Sequence, residues 1–129
     1  MTTRTYTGSC HCGAVAFRCE VDLAAGTGRC NCSMCRKVRF WRADIAGDAL
    51  QVLRGESDIA EYRFGSRQVA HCFCRHCGVK VFGRRGVFAA VSVACLDDVS
   101  TDELRAAPVR YEDGRHDDWA HAPSDAGVW

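Results

Sequence analysis

Apolar and polar side chains alternate with a period of two through much of this chain. In residues 13–21, Val15, Phe17, Cys19 and Val21 share one face, while Arg18 and Glu20 fall on the other. Successive strand residues point to opposite sides, so this run predicts a strand with one buried face. Residues 40–45, 50–53, 59–64, 68–72, 79–82 and 87–94 are further strand candidates. Turn-forming clusters separate them, among them Ala46-Gly47-Asp48, Arg54-Gly55-Glu56-Ser57 and Arg84-Arg85-Gly86. Helical signals are brief. Residues 33–38 suit one helical turn, and residues 101–106 a short helix capped by Ser100 or Thr101, with Pro108 beyond its end. The polar, turn-rich residues 111–129 are expected to lie along the surface. The pattern is that of a mainly β protein.

Composition narrows the class. The 129 residues fit one domain spanning 1–129, and no linker or low-complexity segment divides them. An apolar share of 47% supports a modest core, which at this size still gains from metal cross-links. The formal net charge is +1, from 17 basic and 16 acidic residues, so the basic excess of a nucleic-acid binder is missing and no nucleic-acid partner is expected. The longest apolar stretch, residues 86–95, is too short to span a bilayer and reads as a buried strand. Residues 1–6 lack the apolar core of a signal peptide, which makes the cytoplasm the expected compartment.

Ten cysteines change the picture, because in a reducing compartment many thiols point to metal or redox chemistry. Cys19 and Cys95 sit in apolar runs and are expected to be buried small hydrophobes. The other eight fall in three clusters: Cys10/Cys12, Cys30/Cys32/Cys35 and Cys72/Cys74/Cys77. In an extended strand a C-x-C pair offers both thiolates to one side. A C-x-x-C pair sits on a tight turn, where Gly78 after Cys77 suits positive φ. Amides in such a turn can face the sulfurs and offset their charge. Cys10, Cys12, Cys74 and Cys77 make a complete four-thiolate set. Cys30, Cys32 and Cys35 then remain as a three-thiolate set with no obvious fourth ligand. Zinc takes closed tetrahedral sets in structural sites and three protein ligands plus an open position in catalytic ones. Other groupings stay open at this level. Cys72 can replace one ligand or complete the second set, and a redox-sensing cluster or a disulfide framework would use the same residues, although C-x-C pairs bridge only with strain.

The segments Gly8-Ser9-Cys10-His11-Cys12-Gly13-Ala14-Val15, Cys30-Asn31-Cys32-Ser33-Met34-Cys35-Arg36-Lys37 and Phe73-Cys74-Arg75-His76-Cys77-Gly78 resemble, in order and spacing, the glutathione-dependent formaldehyde-activating enzyme family. Centromere protein V shares that domain. Residues 91–98, followed by Tyr111-Glu112-Asp113-Gly114-Arg115, look like its closing segment. The resemblance implies a small, single-domain, zinc-stapled β-tent (Mss4-like) fold. It also implies that Cys10, Cys12, Cys74 and Cys77 hold a structural Zn2+, while Cys30, Cys32 and Cys35 hold a catalytic, labile one. The implied activity is that of a carbon–sulfur lyase, making or breaking the C–S bond of S-(hydroxymethyl)glutathione. The implied partner is a small thiol such as glutathione or its aldehyde adduct. Two features depart from the family pattern. Cys72 is an additional thiol, and the Arg36-Lys37 pair runs on as Val38-Arg39-Phe40-Trp41-Arg42 where a short Gly-containing turn is common.

An open zinc at Cys30/Cys32/Cys35 is expected to act as a Lewis acid or thiolate activator. Strong thiolate donation weakens its Lewis acidity and favours thiol chemistry over water activation. A pocket for anionic glutathione needs cations, for which Arg36, Lys37, Arg39 and Arg42 are candidates beside a role as a solvated face. Phe40 and Trp41 are either pocket wall or core. His11 is either solvent-facing or a support for the metal ligands. Asp113–Trp119 can close over the site, and its Asp-Gly is first of all a turn. Two rival readings use the same residues: a non-enzymatic zinc-stapled binding module, and a thiol-based zinc sensor using Cys72.

Overall fold

A computed structural model describes residues 3–129. In chain order its elements are β1 (Arg4–Ser9), β2 (Ala16–Val21), β3 (Thr27–Cys30), a one-turn helix α1 (Cys35–Val38), β4 (Arg42–Ala46), β5 (Leu50–Arg54), β6 (Ile59–Tyr62), β7 (Ala70–Cys74), β8 (Lys80–Arg85), β9 (Phe88–Ser92), α2 (Thr101–Ala106) and β10 (Val109–Glu112). Three strands form a small antiparallel sheet in the order β1-β2-β5. The other seven form a larger sheet in the order β10-β3-β4-β9-β8-β7-β6, antiparallel except where β10 runs parallel to β3. No helix among the described residues is long and apolar enough to cross a membrane.

The alternation in residues 13–21 settles β2 as expected. Val15, Phe17, Cys19 and Val21 are buried, while Arg18 and Glu20 face solvent. Phe17 meets Phe82 of β8 edge-to-face, with centroids 5.7 Å apart and rings at 88°. Such a pair adds about 0.5–1.5 kcal/mol beyond its buried area. Here it joins the two sheets into one apolar cluster that also takes in Val81, Val91 and Val93. Cys19 and Cys95 are buried in that cluster, as anticipated for small hydrophobes.

All seven anticipated strands form, with ends displaced by a few residues. β7, anticipated at residues 68–72, is found at Ala70–Cys74, so that Cys72 and Cys74 lie within the strand. Apolar residues 93–95 continue from β9 as a 3-10 turn instead of extended chain. Three strands went unanticipated. β1 has one large apolar side chain, Tyr6, and owes its packing to Gly8, where a Cβ would lie 2.4 Å from Phe17 Cζ. β3 and β10 are four residues each and mix apolar with charged positions, too short for a periodic signal.

Helix α2 spans the anticipated residues, and Ser100 is its cap. Ser100 Oγ accepts from the Glu103 N–H at 3.1 Å, and Glu103 Oε1 accepts from the Ser100 N–H at 3.1 Å. The anticipated turn at residues 33–38 tightens into α1 and leaves through Arg39, which adopts φ 53° and ψ 49°. Arg39 thus takes the left-handed conformation a glycine would adopt at lower cost.

Residues 111–129 lie mostly along the surface, as expected, with both ends tied into the fold. Tyr111 and Glu112 belong to β10 inside the larger sheet, and Trp129 is buried with its ring 5.3 Å from that of Tyr111. Cross-chain partners hold the segment: Arg36 pairs with Asp125 at 2.7 Å, and Arg39 donates to the Val128 carbonyl at 3.3 Å.

The turn between β5 and β6 is a rigid point of the small sheet. Gly55 has φ 80°, and a Cβ there would lie 2.0 Å from the Ala14 carbonyl oxygen. Gly65, at φ 58°, has open space around it. Gly55→Ala is therefore expected to cost at least about 2 kcal/mol, through backbone displacement added to left-handed strain. Gly65→Ala should cost only the strain. Thermal or urea unfolding of the two variants checks this, and equal losses would contradict the contact described.

Candidate metal centres

The first cysteine set closes the fold from two hairpins. Cys10 and Cys12 lie in the connection after β1, Cys74 ends β7, and Cys77 lies in the turn before β8. Their four sulfurs lie within 4.8 Å of one another. Cys10 and Cys12 Sγ are 3.7 Å apart, and Cys12 and Cys74 Sγ are 3.6 Å apart. A tetrahedral ion with metal–sulfur bonds of about 2.3 Å has sulfur–sulfur edges of about 3.8 Å. The spacing therefore fits ligands of one ion and is far longer than a disulfide bond. Amides face the sulfurs: the Val15 N–H donates to Cys10 Sγ at 3.3 Å and the His76 N–H to Cys74 Sγ at 3.4 Å. The turn needs Gly78 at φ 79°, as its place after Cys77 implied. Hydrogen bonds from the Cys12 and Val79 backbone hold the Cys77 thiol down to about 6. His11, between two of these cysteines, faces solvent.

The second set forms where β3 runs into α1. Cys30, Cys32 and Cys35 also place their sulfurs within 4.8 Å, and no fourth His, Cys, Asp or Glu ligand joins them among the described residues. The Cys32 N–H donates to Cys30 Sγ at 3.3 Å and the Cys35 N–H to Cys32 Sγ at 3.3 Å. Hydrogen bonds from the Cys30 and Cys35 thiols lower the Cys32 pKa. The same contacts with Cys30 and Cys32, then burial, raise that of Cys35. Without a cation one sulfur ionises at its neighbours' expense, so three thiolates here require a positive ion. Each set can thus hold a metal ion.

Asn31 fixes the second set from within the motif. Nearly fully buried, it donates from Nδ2 to Asp113 Oδ1 at 2.9 Å and accepts at Oδ1 from the Arg115 N–H at 3.0 Å. Parallel pairing of β10 with β3 sets Glu112 beside Cys30, which carries the Asp113-Gly114 turn over the cysteines. The anticipated closure by this segment is therefore found, through backbone and Asn31 contacts. Sequence reading did not single out Asn31, although a polar residue between two ligand positions was its signal.

A cavity of about 710 Å³ opens from the second set. Its walls include Phe40, Phe64, His71, Lys80, Gly83 and Trp119. The cations anticipated next to the motif mostly face elsewhere. Arg36 is held by Asp125 and Arg39 by the C-terminal backbone, while Lys37 is exposed. Arg42 does line the cavity, but Glu112 and Asp44 neutralise it. The cavity's other cations come from β8 instead: Lys80, Arg84 and Arg85. Lys80 had a sequence signal, a lone charge inside the apolar run Val79–Phe82, as did His71 in β7. Phe40 is a cavity wall, whereas Trp41 packs on the core and donates from Nε1 to Thr27 Oγ1 at 2.8 Å. Cys72 joins neither set. It is 1% exposed, donates to the Ala70 carbonyl at 3.7 Å, and burial pushes its thiol up to about 11. A peroxide-facing sensor needs an accessible, low-pKa thiol, so this position does not suit the sensor reading.

Comparisons with known proteins agree with this geometry. A crystal structure of a Rhodobacter sphaeroides protein, a structural genomics target, is 35% identical, superposes with a TM-score of 0.71, and matches 81% of this chain and 99% of its own. The model of the glutathione-dependent formaldehyde-activating enzyme family matches residues 5–112, a span that contains both cysteine sets. The chain therefore belongs to the glutathione-dependent formaldehyde-activating enzyme family.

Proposed function

We propose that the protein is a zinc-dependent carbon–sulfur lyase-type enzyme that makes or breaks the C–S bond between a small thiol and an aldehyde, with S-(hydroxymethyl)glutathione as the model substrate. One observation carries the reading: a set of three thiols, short of one tetrahedral ligand, forms the wall of a cavity rich in cations. In this reading Cys10, Cys12, Cys74 and Cys77 hold a structural Zn2+, and Cys30, Cys32 and Cys35 hold a second one with a free position. A Zn2+ on the second set would keep an incoming thiol ionised at neutral pH or, in its place, polarise an aldehyde or hydroxymethyl oxygen.

The chain's own residues do the rest. The cavity volume lies inside the roughly 300–1,000 Å³ range of small-molecule sites. Arg84 and Arg85 stand at its solvent side and suit the carboxylates of a peptide thiol. Phe64 and Trp119, both partly exposed, add apolar surface to the cavity wall against which a ligand can pack. Gly114 lets the turn sit directly on the thiols, since a Cβ there would lie 2.4 Å from Cys30 Sγ and 2.8 Å from the Trp119 ring. Gly83, across from His71 in the β7–β8 pair, leaves the cavity floor open; a Cβ there meets only the Ala70 carbonyl oxygen at 3.5 Å.

Three outcomes test the reading. Native mass spectrometry of the purified protein is expected to find two zinc ions, with Cys35→Ser losing one and remaining folded. Cys74→Ser should instead abolish cooperative unfolding, because structural zinc supplies folding free energy, about 10–16 kcal/mol in small zinc domains. If both substitutions unfold the chain alike, the second set is structural and the enzymatic reading fails. Gly114→Ala should lower zinc affinity at the second set at least tenfold while leaving the first ion in place, as read by competition with a chromogenic chelator. Gly83→Val should keep both ions and full thermal stability yet weaken glutathione binding at least tenfold in calorimetry; unchanged binding would place the thiol outside this cavity.

A further inference from the structure

Lys80 is a half-buried cation without an acidic partner. None of the ion pairs among the described residues includes it. Its Nζ lies 2.7 Å from His71 Nδ1 and 3.8 Å from the centroid of the Phe40 ring. An ammonium can only donate, so Nδ1 of His71 accepts and the imidazole carries its proton on Nε2. Burial, then the charge of Lys80, lowers the His71 pKa and keeps the ring neutral. One of the three ammonium donors is thus spent on His71 and another is directed at the Phe40 face. The third has no hydrogen-bond partner among the described residues. Lys80 shares the cavity wall with Cys30, Cys32 and Cys35; burial lowers its pKa, and the neighbouring Cys35 and Cys32 sulfurs offset part of that by favouring the ammonium. A charge kept out of water without a carboxylate is costly, and the ligand-facing wall of a cavity is where such a charge gains a function.

We propose that Lys80 is a catalytic residue whose free N–H receives the oxygen of the thiol–aldehyde adduct beside the three-cysteine set. This rests on the lyase reading above. In the bond-making direction the thiolate electron pair forms the C–S bond and the carbonyl π pair moves onto oxygen. That charge builds against Lys80, and the oxygen takes from solvent the proton the thiol lost on ionising. Cleavage reverses each movement: the hydroxyl proton leaves, the C=O bond reforms, and the C–S pair departs with sulfur. His71 and the Phe40 face hold the ammonium in place, so the donor needs no reorganisation as the charge develops.

The test uses the zinc-loaded full-length chain with Lys80→Met and Lys80→Arg. Methionine preserves the apolar stem against Phe40 and removes the charge with its N–H donors, the one to His71 included, while arginine keeps both. Both variants should fold with wild-type zinc content and bind glutathione within about threefold of wild type. Two readouts then decide. Formate, a small oxyanion probe, should bind the wild type in an NMR titration, shifting the Lys80 side-chain resonances, and should bind Lys80→Met at least tenfold more weakly. The exchange rate between formaldehyde and S-(hydroxymethyl)glutathione, followed by NMR, should fall by about 10²–10³-fold in Lys80→Met, the usual loss of one such donor, and recover in part in Lys80→Arg. If the wild type accelerates exchange and Lys80→Met does so equally, Lys80 has no such role while the lyase reading stands. If formate binding depends on Lys80 but the wild type does not accelerate exchange, the oxygen site stands and the lyase reading falls. If neither formate binding nor exchange responds to Lys80→Met, the ammonium is only a counter-charge to the thiolates and the inference is overturned.

Discussion

Crowded sulfur is the constraint from which this fold takes its form. Seven cysteine sulfurs stand in two sets whose members lie within 4.8 Å of one another. Two unit charges at about 4 Å repel by about 4 kcal/mol at an effective dielectric of 20, so neither set tolerates full ionisation unaided. Backbone amides of Val15, Cys32, Cys35 and His76 offset part of that repulsion. A divalent cation at the centre would turn the remainder into attraction. The four-sulfur set spans the connection after β1 and the hairpin of β7 and β8, linking the same two sheets that Phe17 and Phe82 join through the core. Ionic and apolar closure therefore act on one seam.

The two sets grow from similar sequence and diverge through their surroundings. Cys30-Asn31-Cys32-Ser33-Met34-Cys35 and Cys72-Phe73-Cys74-Arg75-His76-Cys77 share a C-x-C-x-x-C spacing. In the second, Cys72 turns into the core and only two sulfurs serve, which leaves room for a pair from β1's connection. In the first, all three cluster, and among the described residues no other cysteine joins them. Repetition of the motif did not bring repetition of the cluster, because partners from elsewhere in the chain decide how many sulfurs meet.

Much of this was legible without coordinates. Strict alternation located β2 and its buried face, the cap candidates Ser100 and Thr101 with Pro108 beyond located α2, and C-x-C spacing grouped the sulfurs. The reading weakened where contacts come from far along the chain. β1 is held by Gly8 against Phe17, and β10 lies against a strand more than eighty residues earlier, so local periodicity carries little trace of either. The cations offer the clearest case. Proximity in sequence favoured Arg36 and Arg39, yet both engage the C-terminal stretch, and the cavity draws Lys80, Arg84 and Arg85 from β8. A lone lysine in an apolar strand was a better signal than a basic run beside a metal motif.

The turn that covers the second set lies outside the part of the chain that matches the family. The match ends at residue 112, while Gly114 and Trp119 come just after it. Part of the cavity's cover is thus written beyond the stretch that matches the family, while both cysteine sets and the cations of β8 lie within it. A descendant could reshape the Trp119 end of the cover, and so the mouth of the cavity, without changing any of the seven cysteines.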